Sequence, residues 1–277
     1  MSAPPKPRHL ILDLLLATGD EPLSAREAIA ACALFGISAN SVRVALVRLS
    51  AEGLIEASER GSYQLSDKAH ELADEVATWR TAEQRVRPWQ GGWIAVHCAA
   101  LGRSDRVALR RRTRALAMLG FRELETGLYL RPDNIENGVD DVRRRLHRLG
   151  LEREAAVFVA NGFDAAREAQ LRRLWDGKAL NASYRKLHTQ LEAWLARSAQ
   201  LEPQAAARES FLLGGQAIRQ VVYDPLLPEP LVDVEARHAF VEAVRRFDAA
   251  GKLIWRSLPA VDAARSAAAP RASARRH

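Results

Sequence analysis

The stretch from Ser38 to Leu49 carries two kinds of side chain on one helical period. Val42, Ala45, Leu46 and Leu49 fall at i, i+3, i+4 and i+7 and form an apolar face. The other face carries Asn40, Ser41, Arg43, Val44, Val47 and Arg48. Amide, hydroxyl, guanidinium and methyl groups together are the set that meets base edges and phosphates in a DNA major groove. Two valines on a solvated face fit that chemistry better than they fit water. Ser38 stands where the helix needs an N-cap. Farther on, Arg60 and Ser62 sit at the turn between LIEAS and SYQLS, two alternating strand-like stretches, where a wing tip would offer them to the phosphate backbone.

The elements that must position these groups read helix, helix, helix, hairpin. LILDLLLAT leads to SAREAIAACALFG, in which Ser24 and Glu27 have capping-box spacing and Gly36 stops the helix. The residue order over 1–65 predicts a winged helix-turn-helix. Residues 66–88 have helical period up to Pro88 and predict a connecting helix. Residues 89–163 then read strand (GGWIAVHCAAL), helix (DRVALRRRTRALAMLG), two strands broken at Gly127, helix (DDVRRRLHRLG) and strand (EAAVFVANG). That order, β-α-β-β-α-β, predicts a ferredoxin-like domain. Residues 164–258 are helical in period around the proline-rich loop YDPLLPEPL, and 259–277 lack any apolar period, which predicts a disordered tail. The expected class is α+β in three folded parts.

Net charge is +7, and 36 of the 41 basic residues are arginine, the side chain suited to phosphate and guanine, so nucleic acid is a reasonable partner. The excess does not lie in the reading head, because residues 1–65 hold six Lys/Arg against seven Asp/Glu. It lies in the run Arg103 to Arg114 with six arginines, in Arg143 to Arg148 with four, and in the tail. Solvated helix faces are the plain reading of each cluster. Cys32 and Cys98, both in apolar runs, give no material for a disulfide framework. No run approaches the roughly 20 apolar residues of a membrane helix, and the first apolar run is broken by Asp13, so a cytoplasmic protein without a membrane partner is expected.

Enzymatic readings find no residues. A ferredoxin-like domain also resembles the CRISPR adaptation nuclease, whose first strand ends in a metal-binding aspartate. Here that strand ends in Val96, His97 and Cys98, so two-metal hydrolysis lacks its ligand. His97 and Cys98 are adjacent on a strand, point to opposite faces and cannot easily share an ion. Gly214, Gly215 and Gln216 have the residue types of a release-factor loop but fall inside a helical period, where glycines permit close packing or a kink. No metal, no cofactor and no catalytic residues are expected.

Three ordered stretches resemble the PaaX family, the repressors of phenylacetate-degradation genes. They are SVRVALVRLSAEGLI, WQGGWIAV followed by RALAMLGFRELETGLYLRPDNI, and RQVVYDPLLPEPL. The wing departs from the family in carrying one arginine, and the segment after DPLLP lacks a Trp-Pro-Gly. The resemblance implies a DNA-binding winged helix, a central domain that aids dimerisation, and a C-terminal helical domain that responds to an acyl- or aryl-CoA thioester. The expected partners are double-stranded operator DNA, a second copy of the chain and a small-molecule effector. The alternative is an interaction module that docks protein or RNA without operator specificity.

Overall fold

The computed structural model describes residues 5–18, 21–58, 61–67, 69–70 and 78–258. Arg60 at the wing tip, the middle of the expected connecting helix (71–77) and the tail (259–277) lie outside the described residues. The class is α+β, with two small antiparallel sheets among the described residues.

The chain forms two compact units, and they do not follow its order. One comprises residues 1–77, 195–214 and 246–277, the other residues 78–194 and 215–245. In the first unit α1 (Pro7–Thr18), β1 (Leu23–Ser24), α2 (Ala25–Ala33), α3 (Ala39–Ala51), β2 (Ile55–Ser58) and β3 (Ser62–Leu65) follow one another. β3 lies between β1 and β2, with Ser62 opposite both Ser24 and Ser58. Leu10, Ile11, Leu15, Ala28, Cys32, Val42, Leu46, Leu49, Ile55 and Leu65 form the core. Burial pushes the Cys32 thiol up to about 11, so it packs as a small apolar group. Phe211 and Trp255, from the far end of the chain, pack on this core, with Phe35 and Phe211 edge to face at 5.3 Å between ring centroids.

The capping box that starts α2 is formed on both sides. Ser24 Oγ accepts from the Glu27 amide at 3.1 Å, and the Ser24 amide donates to Glu27 Oε2 at 2.8 Å. Ser24→Ala removes one of these bonds and is expected to cost about 1 kcal/mol. The check is a lower urea midpoint at unchanged slope.

The second unit is built on β4 (Trp93–His97), α4 (Arg106–Met118), β5 (Arg122–Glu125), β6 (Leu128–Pro132), α5 (Gly138–Arg148) and β7 (Ala156–Ala160). The sheet order is β5-β6-β4-β7, antiparallel throughout. Both faces of β4 are covered, which is why it reads as an unbroken apolar run. Ile94 and Val96 pack with Leu116, Val142 and Leu146, on the side of α4 and α5. Trp93 and Ala95 pack with Leu130, Leu171, Trp175 and Leu227 on the other side. The chain continues as α6 (Ala165–Arg172), α7 (Gly177–Arg197), α8 (Pro203–Val222) and α9 (Val234–Arg256).

The expected connecting helix is helical at residues 67, 69 and 70 but needs correction over Thr78–Arg85. Thr78–Arg85 winds as a 3-10 helix, and Val86 bridges to Ile135. Three residues per turn bring Trp79 and Ala82 onto one buried line, and Glu83 meets Arg237. Tertiary partners that periodicity cannot see set this winding.

Candidate nucleic-acid interface

α3 is placed by the turn before it. Gly36, at φ +72°, lets the chain reverse after α2, with the Gly36 amide on Ala33 O at 3.0 Å and the Ile37 amide on Cys32 O at 3.2 Å. Ser38 follows in extended conformation as the N-cap of α3, its Oγ accepting from the Ser41 amide at 3.3 Å. The Ser38 and Ser41 hydroxyls are 2.9 Å apart, so these two groups are tied to each other at the helix start.

From there α3 separates its faces as its period predicts. Val42, Ala45, Leu46 and Leu49 are buried, while Asn40, Ser41, Arg43, Val44, Val47 and Arg48 are exposed. Val47 is 66% exposed and Val44 42%, apolar groups left on a polar face. Among the described residues Arg43 and Arg48 join no ion pair, so both guanidinium groups are open to an outside anion. Ser62 is half-buried in the central strand of its sheet.

Sequence reasoning missed a buried polar network in the second unit. The Arg131 guanidinium donates to the carbonyls of Leu119 and Pro132 and to Asn134 Oδ1 at 3.0 Å, and Asn134 Nδ2 donates to Leu226 O at 2.6 Å. Burial pulls Arg131 down to about 9. Pro225 lies so close to Gly120 that a Cβ there would sit 2.5 Å from its Cα. Arg237, fully buried, donates Nε to Glu83 Oε1 at 2.8 Å and a terminal nitrogen to Leu227 O, and His238 Nε2 is 2.8 Å from Glu83 Oε2. The Asp-Pro loop is thus fastened from several sides, whereas Arg219 is exposed. Helical period alone does not distinguish an arginine turned inward from one on a solvated face.

Asp224 is buried in this loop, with Oδ1 accepting from the Leu226 amide at 2.8 Å. Burial pushes its carboxyl up to about 6, against the opposing pull of Arg237, the Tyr184 hydroxyl and the Leu226 amide. A carboxyl raised in the folded state above its ordinary 3.8 destabilises as it ionises. This contribution to stability is therefore fully present below that ordinary value and is lost as pH rises through about 6. Asp224→Asn is expected to flatten the pH dependence of the urea midpoint across that window.

The remaining motifs fall as follows. His97 is exposed and Cys98 buried, on opposite sides of the β4 end. Gly214 and Gly215 lie inside α8, where a Cβ on Gly214 would come 3.2 Å from the Phe247 ring and one on Gly215 would meet open space. Close packing thus accounts for the first glycine, and nothing in the structure explains the second. Among the described residues no helix is long and apolar enough to cross a membrane.

In fold, the chain is similar to the uncharacterized protein Rv0674 from Mycobacterium tuberculosis, with a TM-score of 0.59 at 23% identity over 94% of this chain and 99% of that one. No curated protein matches the sequence. The family model for PaaX-like protein matches residues 6–69, and that for the PaaX-like protein C-terminal domain matches residues 175–257. With both ends matched in order, the chain belongs to the PaaX-like family, whose members are generally transcriptional regulators of phenylacetate catabolism rather than enzymes.

Proposed function

We propose that the protein is a cytoplasmic, homodimeric repressor that binds operator DNA through a winged helix-turn-helix and is released by an aryl- or acyl-CoA thioester. The observation that carries this reading is the outer face of α3, where Arg43 and Arg48, in no ion pair among the described residues, stand with exposed Asn40, Ser41, Val44 and Val47. α2, the turn at Gly36, α3 and the β2–β3 hairpin follow in the order of a winged helix, with Ser38 capping the reading helix. In a dimer the two α3 helices enter successive major grooves about 34 Å apart. Arg43, Arg48 and Asn40 contact bases or neighbouring phosphates, and Arg60 and Ser62 anchor the wing.

A ferredoxin-like reading of the second unit is supported by the strand order β5-β6-β4-β7 with α4 and α5 on one face. It serves as the dimerisation domain. The thioester acts by binding the non-DNA-binding arrangement more tightly, and its effect is bounded by that difference in affinity.

The test is binding of the purified protein to its own upstream intergenic duplex, at two salt concentrations, with and without a panel of aryl- and acyl-CoA thioesters. Specific binding that one thioester abolishes is the expected result. Specific binding indifferent to every thioester removes the effector from the proposal, and binding that ignores sequence leaves the interaction module.

A further inference from the structure

We propose that the arginine row of α4 is a second DNA contact, gripping the phosphate backbone of the duplex without reading its sequence. The proposal deepens the DNA-binding reading above and rests on it. From Arg106 to Met118, α4 carries five arginines and no acidic residue. Arg112 turns inward, its guanidinium on both Glu152 oxygens and on Gly102 O. Arg111 lays its stem against Gly150. Arg106, Arg110 and Arg114 recur every four residues, so they stand in one exposed row about 6 Å apart along the axis. Arg103 precedes the row, also exposed. None of these four joins an ion pair among the described residues. Arg110 bonds only through Nε, to Arg106 O at 3.0 Å, which leaves its two terminal nitrogens open.

The other charged helices of this chain solve the same problem differently. α5 pairs Arg143 with Asp140 and Arg144 with Asp141, α6 pairs Arg172 with Glu168, and α9 pairs Arg245 with Glu242 and Lys252 with Asp248. The solvated faces of these three helices thus carry acids of their own. α4 instead repeats like charge at i, i+4, which is unfavourable without an outside anion, and its nearest acid, Asp105 at the N-cap, is engaged by the Val107 and Ala108 amides. The row also answers a deficit, because residues 1–65 have six basic against seven acidic side chains and supply no net attraction for DNA. α4 has no aromatic residue on which an unpaired base could stack, which favours a duplex backbone over a single strand.

The experiment is fluorescence anisotropy of the full chain on its upstream intergenic duplex and on a random-sequence DNA duplex, from about 50 to about 200 mM salt. The triple variant Arg106→Gln, Arg110→Gln, Arg114→Gln is expected to lower the slope of log affinity against log salt by about 2.7 on both duplexes. The gap between wild type and variant then narrows about 40-fold across that salt range. The triple Arg→Lys variant keeps the wild-type slope, and Arg110→Gln alone lowers it by about 0.9, which tests the row even if the triple variant folds poorly. An unchanged slope in the glutamine variants, with wild type still bound, overturns the row and leaves α3 as the reader. A loss confined to the upstream duplex also overturns it. Failure of the wild type to bind any DNA duplex, or binding to an RNA duplex instead, overturns both the row and the reading it rests on.

Discussion

The double variant Arg43→Ala, Arg48→Ala is expected to lose about 2 to 6 kcal/mol of operator affinity, from about 1 to 3 kcal/mol at each arginine that makes bidentate contact with a base. Both side chains are exposed and unpaired among the described residues, so their loss leaves no buried group unsatisfied. The melting temperature should stay at the wild-type value. Competition binding against single-base variants of the site is the discriminating measurement, because the loss must come with relaxed preference at the contacted positions. Unchanged affinity would move the helix from DNA reading to protein docking.

Arg237→Met is expected to destabilise the fold by about 3 to 5 kcal/mol, since it strands buried charge that the guanidinium now neutralises. Glu83 loses two hydrogen bonds, the Leu227 carbonyl loses its donor, and Asp224 loses the cation that opposes its burial. Methionine keeps the apolar volume, so the effect reports on charge and hydrogen bonding more than on a cavity. Adding Asp224→Asn to Arg237→Met should recover part of the loss, because one of the two stranded carboxylates is then gone. The urea midpoints of the wild type, the two single variants and the double variant give the coupling directly.

What was legible in the sequence is what local chemistry decides. The caps Ser24 with Glu27 and Ser38, the stop at Gly36 and the break at Gly127 each depend on a few neighbouring residues, and each stands where the residue types put it. The two faces of α3 were legible for the same reason. What was not legible depends on partners distant in sequence. Arg112, Arg131, Arg145 and Arg237 count toward net charge, yet all four are buried. Arg112 and Arg145 belong to runs that read as solvated faces, and only the fold supplies the Glu152 that turns Arg112 inward. The 3-10 winding of Thr78–Arg85 follows from packing of Trp79 and from Glu83 meeting Arg237, neither of which a periodicity contains.

The make-up of the first unit has a consequence for synthesis. Phe35, at the turn into α3, packs against Phe211, and Phe211 against Trp255 at 6.2 Å. The ribosome makes α3 well before Phe211 and Trp255, the aromatic groups that complete its apolar support. Until then the nascent chain exposes Phe35 and its neighbours, and N-terminal segments of this kind are the ones that chaperones hold. A fragment that stops after β3 keeps the outer face of α3 yet lacks Phe211 and Trp255, so the apolar support of that helix is complete only once those distant segments have been made.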